Sequence, residues 1–337
     1  MTTSPSLSDA HTAARVVAIA AELSEDILNA ARLRITAHSG EIVAERGLTD
    51  PVTGIFGRGA IEWTVRLPAE AMEPLRMAFR SLAEALQVDF AVLSGSRSTR
   101  LPRMVAFDMD STLIQGEVID ELAKLAGVGD EVAAITAAAM RGELVFQQSF
   151  RRRVALLKGL PESAARTLLG SIPLMPGAKR LFAVLRALGV RTVVLSGGFT
   201  FFGVDLQRRL GIDEIHANLL DMRDGVVTGE IRGEIVDGAR KASLLGQIAT
   251  REQIALHETA AVGDGANDLP MLRLSGLGVA FHAKPLVRAS AECAISCQAL
   301  DALLYLFGVD DDEIRRHEIQ SHEIQNHEIR SRLAQAE

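Results

Sequence analysis

Three short polar segments carry residues that could act together in one reaction. Asp108-Met109-Asp110-Ser111-Thr112 sets two carboxylates two residues apart, beside two hydroxyls. Ser196-Gly197-Gly198 puts a hydroxyl next to backbone with no side chain to block an approaching ligand. Gly263-Asp264-Gly265-Ala266-Asn267-Asp268 brings a second pair of carboxylates with an amide among them. Every hard ligand atom here is oxygen. That suits magnesium, because Mg²⁺ keeps several waters and takes only a few carboxylates plus phosphate oxygen. Asp108 and Asp264 are the natural side-chain ligands, with the backbone carbonyl of Asp110 as a third. Such an ion would offset the repulsion between these carboxylates and an incoming phosphate dianion. Lys241, near the start of a helix after Asp237-Gly238, carries an ammonium suited to neutralise phosphoryl oxygens or hold a nucleophile.

Each polar segment directly follows an apolar run, at 104–107, 191–195 and 259–262, and a further apolar run lies at 278–281. Apolar runs alternating with helical stretches read as a parallel α/β sheet. Ligands of such open sheets bind beyond the carboxyl ends of the strands, so the three segments meet at one edge. A helix over 178–188 stops at Gly189 and feeds the second strand. Residues 215–220 and 226–231 flank Asp224-Gly225, a hairpin signal. The interval between the first two strands is far longer than the dozen or so residues a crossover requires. Residues 117–126, 132–141 and 146–157 read as helices there, so a helical subdomain is expected over one end of the sheet.

The first ninety-odd residues have a different rhythm. Strands are expected at 15–21, 41–45, 61–67 and 89–93, with a helix capped by Ser24 after the first. A second helix carries Met72, Leu75, Met77, Phe79, Leu82 and Leu86. The order β-α-β-β-α-β is that of a ferredoxin-like α+β fold. Trp63 alternates with Ile61 and Val65 and is expected in the core or on a sheet face. The loop with Asp50-Pro51, Gly54, Gly57 and Gly59 joins two of the strands, and Ser94-Gly95-Ser96-Arg97-Ser98-Thr99-Arg100 reads as a linker. The domains expected are 1–95, a linker at 96–102, an α/β domain at 103–310 with its cap at about 115–177, and a polar tail at 311–337. Three copies of His-Glu-Ile in that tail, starting at His317, His322 and His327, read as a solvated extension without a function.

Composition bounds the classes. At 337 residues the chain exceeds what one core usually supports, and 48% apolar with 23% charged residues is ordinary for a soluble globular protein. The 36 basic and 43 acidic residues give a net charge of −7, which argues against a nucleic-acid binder. Cys293 and Cys297 lack the second ligand pair of a structural zinc site and read as reduced thiols. Residues 1–6 have no basic or apolar signal-peptide region, and the longest uncharged stretch, 192–204, is too short to span a bilayer. Neither a membrane nor a nucleic acid is expected as partner, and the cytoplasm is the expected location.

With these residues placed, Asp108–Thr112, Ser196-Gly197-Gly198, Lys241 and residues 263–268 resemble the four motifs of the haloacid dehalogenase superfamily. The inserted helices narrow the match. Glu117, Ala139-Met140-Arg141-Gly142, Phe146, Ser149 and residues 151–157 resemble the cap of its phosphoserine phosphatase family. The resemblance spans about 103–306. The front unit resembles an amino-acid-binding domain of the ACT type, which would make an amino-acid effector and a homodimer the expected partners.

The resemblance implies a Rossmann-like sheet with a helical cap, and roles for single residues. Asp108 would attack phosphorus and form an aspartyl-phosphate, and Asp110 would protonate the leaving oxygen and later deprotonate water. Ser196, Gly197 and Lys241 would hold the transferring oxygens. Asp108, Asp110 and Asp264 would serve the metal, while Asn267 and Asp268 would orient the metal shell and Lys241. Glu117 would pair with the ammonium of O-phospho-L-serine and Arg153 with its carboxylate. Met140 and Phe146 would supply apolar walls. Two alternatives stand beside this. A dehalogenase would need no acid at Asp110, because halide leaves without a proton. A phosphomonoesterase for sugar phosphates would leave Glu117 and Arg153 unused, while one for another amino-acid phosphate stays open. An amino-acid sensor on an inactive scaffold has no use for intact acidic motifs.

Overall fold

The computed structural model describes residues 11–49, 59–94 and 101–320, which divide into two compact units. The opening tail, the loop with Asp50-Pro51, Gly54 and Gly57, linker residues 95–100 and the repeats at His322 and His327 lie outside the described residues. One unit takes the chain up to Leu101 together with Glu292–Gln298 and Ala302–Arg315. The other takes Pro102–Ala291, Ala299–Asp301 and, among the described residues, 316–320.

The first unit is built as β1 (His11–Ala20), α1 (Glu25–Ala37), β2 (Glu41–Gly47), β3 (Gly59–Pro68), α2 (Met72–Leu86) and β4 (Asp89–Ser94), an antiparallel sheet in the order β2-β3-β1-β4. Alternation along β1 divides its faces. Val16 and Ala18 join Trp63, Val65, Ile35, Leu75 and Phe79 in the core under the two helices. The opposite face of β1 carries Arg15, which donates twice to Glu62, at 2.9 and 2.6 Å, and once to Leu306 O. Ser24 accepts from Ile27 N and caps α1.

Late segments complete this unit. Asp89 accepts from the amides of Ser296, Cys297 and Gln298 at 2.7–3.2 Å, so one carboxylate organises the whole turn after the short strand Cys293–Ile295. Asp311 N donates to Leu48 O, and Tyr305 Oη donates to Asp311 at 2.7 Å. Neither cysteine forms a disulfide among the described residues, and burial pushes the Cys293 thiol up.

The second unit alternates strand and helix: β5 (Met104–Phe107), α3 (Val118–Ala126), α4 (Gly129–Met140), α5 (Phe146–Leu156), α6 (Glu162–Arg166), α7 (Ala178–Ala187), β6 (Arg191–Phe199), α8 (Thr200–Leu210), β7 (Glu214–Arg223), β8 (Val226–Arg232), α9 (Gly238–Arg251), β9 (Thr259–Gly263), α10 (Leu269–Leu274), β10 (Leu277–Phe281) and α11 (Pro285–Ser290). The sheet runs β10-β9-β5-β6-β7-β8, parallel except for the last pair. β5 lies in the middle, bonded on both edges, and all four of its residues are buried. Gly189 ends α7 with a φ of 71°, Gly189 N bonding Arg186 O and Val190 N bonding Leu185 O.

Helices α3 to α6 form the insertion, and α6 is a short element that the sequence pattern does not announce. The insertion is tied to the β7–β8 hairpin by Gly159 N to Val227 O, Val227 N to Leu160 O and Glu162 N to Gly225 O, each 2.8 Å. β6 also runs longer than its apolar residues indicate. Its strand geometry carries through Ser196-Gly197-Gly198 to Phe199, but its pairing with β7 shifts between Leu195 and Phe199. The glycines stay extended while leaving the ladder.

Candidate active site

β5 ends at Phe107, and Asp108 N still donates to Val262 O of the neighbouring strand at 2.9 Å. A tight turn follows. Leu113 N and Ile114 N both donate to Met109 O, and Ser111 adopts a left-handed φ of 58°. This winding holds Asp108 and Asp110 together, both buried. Asp110 Oδ1 accepts from Val118 N at 3.0 Å, at the start of α3. Burial, then the charges of Glu117 and Asp108, hold the Asp110 carboxyl well above the ordinary aspartate range, against that amide bond and Lys241. A carboxyl that holds its proton more tightly than an ordinary aspartate is suited to act as an acid.

Lys241 is the hub of the rim. It is fully buried in the first turn of α9, donates to Asp268 Oδ1 at 2.7 Å and lies 2.8 Å from Asp108 Oδ1. Burial alone would lower its pKa, but Asp108 and Asp268 outweigh that and hold it raised and charged. The first turn of α9 is set by Asp237, whose Oδ1 accepts from Arg240 N at 2.9 Å. Asp268 reaches back as well, accepting from Gly265 N at 2.9 Å. Met109 N donates to Asp108 Oδ1 at 2.7 Å. Oδ1 of Asp108 is thus held twice, while its Oδ2 takes no hydrogen bond from the described residues.

Carboxylate oxygens of Asp108, Asp264 and Asp268 lie within 4.8 Å of one another. Burial and the charges of Asp108 and Asp268 push the Asp264 carboxyl up to about 8, and Thr112 Oγ1 donates to its Oδ1 at 3.2 Å. An all-oxygen set that is short of positive charge fits a hard divalent cation. The Asp110 side chain stands outside this cluster, engaged with Val118 N, and leaves its backbone carbonyl as the atom for such an ion.

The Ser196–Gly198 segment lies against the same carboxylates. Ser196 is fully buried and its Oγ accepts from Gly198 N at 2.8 Å. A Cβ at Gly198 would run into Asp110 Oδ2 and Met109 Cε, so any larger residue there would have to displace them. Asn218 on β7 fixes the segment from behind. Its Nδ2 donates to Gly197 O at 2.8 Å and its Oδ1 accepts from Val236 N at 2.9 Å. Sequence reading misses Asn218, because a lone polar residue in an apolar strand has no local signature. Asn267 stacks its backbone on Gly238 at the start of α9, where its carbonyl would lie 2.6 Å from a Cβ.

The inserted helices bring their residues over this rim. Glu117 precedes α3 and accepts from Ser111 Oγ at 3.2 Å, and burial and the charge of Asp108 raise its carboxyl. Phe146 at the start of α5 would be 3.0 Å from a Cβ at Gly197, and the Phe150 ring lies 5.8 Å from that of Phe199. Gln147 Nε2 donates to Asp237 Oδ2 at 2.6 Å, joining the insertion to the residue that caps the lysine's helix. Arg153 lies 5.9 Å over the Phe150 ring; burial lowers its pKa, while Glu117, Asp120 and Asp110 act the other way. Met140 differs from its expected place in a wall. It ends α4 with 66% of its surface exposed.

Residues 105–273 match the model of the haloacid dehalogenase-like hydrolases. Phosphoserine phosphatase of Streptomyces coelicolor is 50% identical over 242 residues, which are 72% of this chain and 59% of that protein. The chain therefore spans less than two thirds of that relative's length. A hydrolase structure from Salmonella enterica superposes with a TM-score of 0.75 at 31% identity, over 88% of this chain and 98% of that one. A phospho-aspartyl intermediate analogue of phosphoserine phosphatase does so with a TM-score of 0.58 at 40% identity, over 61% and 98%.

Proposed function

We propose that this chain, which belongs to the haloacid dehalogenase-like hydrolases, hydrolyses O-phospho-L-serine to L-serine and phosphate through an aspartyl-phosphate on Asp108, the last step of serine biosynthesis. The observation that carries the reading is the double hold on Asp108 Oδ1 by Met109 N and Lys241 beside an Asp110 that favours its proton. Asp108 Oδ2 would attack phosphorus in line with the departing serine oxygen. Asp110 would give that oxygen its proton, then take one from the water that cleaves the acyl-phosphate. Lys241, Ser196 and the amide of Gly197 would hold the non-bridging oxygens, so most of the stabilisation is electrostatic and already in place.

Mg²⁺ held by Asp108, Asp264 and the backbone carbonyl of Asp110 would supply charge neutralisation for the phosphoryl group. Asp268 would orient Lys241 and, with Asn267, the shell around that ion. Glu117 would receive the ammonium and Arg153 the carboxylate of the substrate, with Phe146 and Met140 as apolar walls. The front unit, 1–95, would be an ACT-type domain that binds an amino-acid effector and pairs in a homodimer, with 103–310 as the phosphatase. Among the described residues no helix is long and apolar enough to cross a membrane, and we place the enzyme in the cytoplasm.

A phosphate-release panel tests the reading. O-phospho-L-serine with Mg²⁺ should give a kcat/KM well above that of phosphothreonine and sugar phosphates, and chelation should abolish release. Comparable kcat/KM for sugar phosphates would remove the substrate assignment, and release that survives chelation would remove the metal.

A further inference from the structure

We propose that Ser149 is a further specificity-determining residue, its hydroxyl binding the carboxylate of the amino-acid ester alongside Arg153; the assignment rests on the phosphoserine reading above. Ser149 lies on α5 with 1% of its surface exposed, yet its Oγ has no hydrogen-bond partner. A serine inside a helix ordinarily bonds the carbonyl four residues back. Here Val145 O receives only the backbone amide of Ser149, at 3.0 Å. Arg153, four residues on and hence on the same side of the helix, buries its Nε equally without a partner. Buried polar atoms are otherwise almost always paired, so two orphans one turn apart mark a place for a ligand.

The direction of that face follows from its neighbours. Phe146 lies against Gly197 and Phe150 against Phe199, so this side of α5 is turned to the end of β6, where Ser196 and Asp110 sit. At 100° per residue, positions 146, 149, 150 and 153 fall within roughly one third of the helix circumference, with 149 on the side of 153. The two free donors define what they would take. Nε of Arg153 can only donate, so a group satisfying both atoms must offer two acceptors side by side, as a carboxylate does. An ammonium would satisfy Ser149 alone. Glu117, the acid whose charge acts most on Arg153, remains for the ammonium.

The test compares wild type with Ser149→Ala, as full-length chains with Mg²⁺, on O-phospho-L-serine and on phosphoethanolamine, which lacks only the carboxylate. For phosphoserine, KM should rise about tenfold with kcat within about twofold, the usual scale for one hydrogen bond to a charged group. Phosphoethanolamine, as substrate or as competitive inhibitor, should bind both proteins alike. The ligand-free variant should melt no lower than wild type, since the change removes an unpaired hydroxyl. An unchanged KM for phosphoserine, or an equal loss on both compounds with a lowered melting point, would overturn the proposal and leave Ser149 a packing residue. Failure of the wild type to hydrolyse phosphoserine would instead remove the reading beneath it.

Discussion

Replacing Lys241 by methionine keeps the length of the side chain and removes the one cation that two buried carboxylates share. Both pairs are short, 2.8 Å to Asp108 and 2.7 Å to Asp268, and neither partner can turn to solvent. Breaking a buried pair from one side costs about 3–5 kcal/mol, because the abandoned charge stays buried. At 2–4 °C per kcal/mol for a domain of this size, the melting point should fall by roughly 6–20 °C near pH 7.5. The deficit should shrink toward pH 5.5, because burial and the charge of Asp108 push the Asp268 carboxyl up to about 7, and a protonated Asp268 leaves less uncompensated charge once the ammonium is gone. In turnover, Lys241→Met should lose about 10²–10³ in kcat with saturating Mg²⁺, the scale of one missing oxyanion donor. Calorimetry and phosphate release check the two arms. A variant that melts with the wild type across this pH range, or keeps kcat within about threefold, would show that Lys241 neither neutralises Asp108 nor touches the transferring group.

Two further outcomes follow from the same rim. Asp110→Asn should lower kcat by about 10²–10⁴ and slow cleavage of the intermediate as well as its formation, so that phosphoenzyme persists in quenched-flow traces; a variant slowed only in formation would limit Asp110 to the acid step. Asp264 titrates at about 8 in the fold against 3.8 as its ordinary value, so the folded chain binds the extra proton between those limits. Metal-free stability should therefore fall as pH rises through that window, and the Mg²⁺-induced rise in melting point should be larger at pH 8 than at pH 5.5. A Mg²⁺ effect largest in acid would contradict the assignment of that carboxyl.

What could be read before the fold was seen, and what could not, divides along physical lines. Asp108, Asp110, Ser196 and Asp264 were legible because each follows an apolar strand, and strand ends in such a sheet converge by topology. Asn218 was not, since its work is done across space on Gly197 and Val236, which its sequence neighbours do not reveal. The same holds for Asp89, whose carboxylate gathers the amides of Ser296, Cys297 and Gln298 from more than two hundred positions away. Strand β6 was underestimated because Ser196-Gly197-Gly198 has the composition of a turn, yet glycine tolerates extended backbone as readily as a bend. Met140 is expected in a wall by resemblance alone, and it lies 66% exposed at the end of α4.

The most direct measurement is a rapid acid quench of the full-length chain mixed with ³²P-labelled O-phospho-L-serine and Mg²⁺, followed by peptide mapping. A hydroxylamine-labile phosphoryl group on Asp108, formed and lost at rates compatible with turnover and absent from Asp108→Asn, is the expected result. Turnover without any label, or a label that Asp108→Asn retains on another residue, would contradict the nucleophilic role of Asp108.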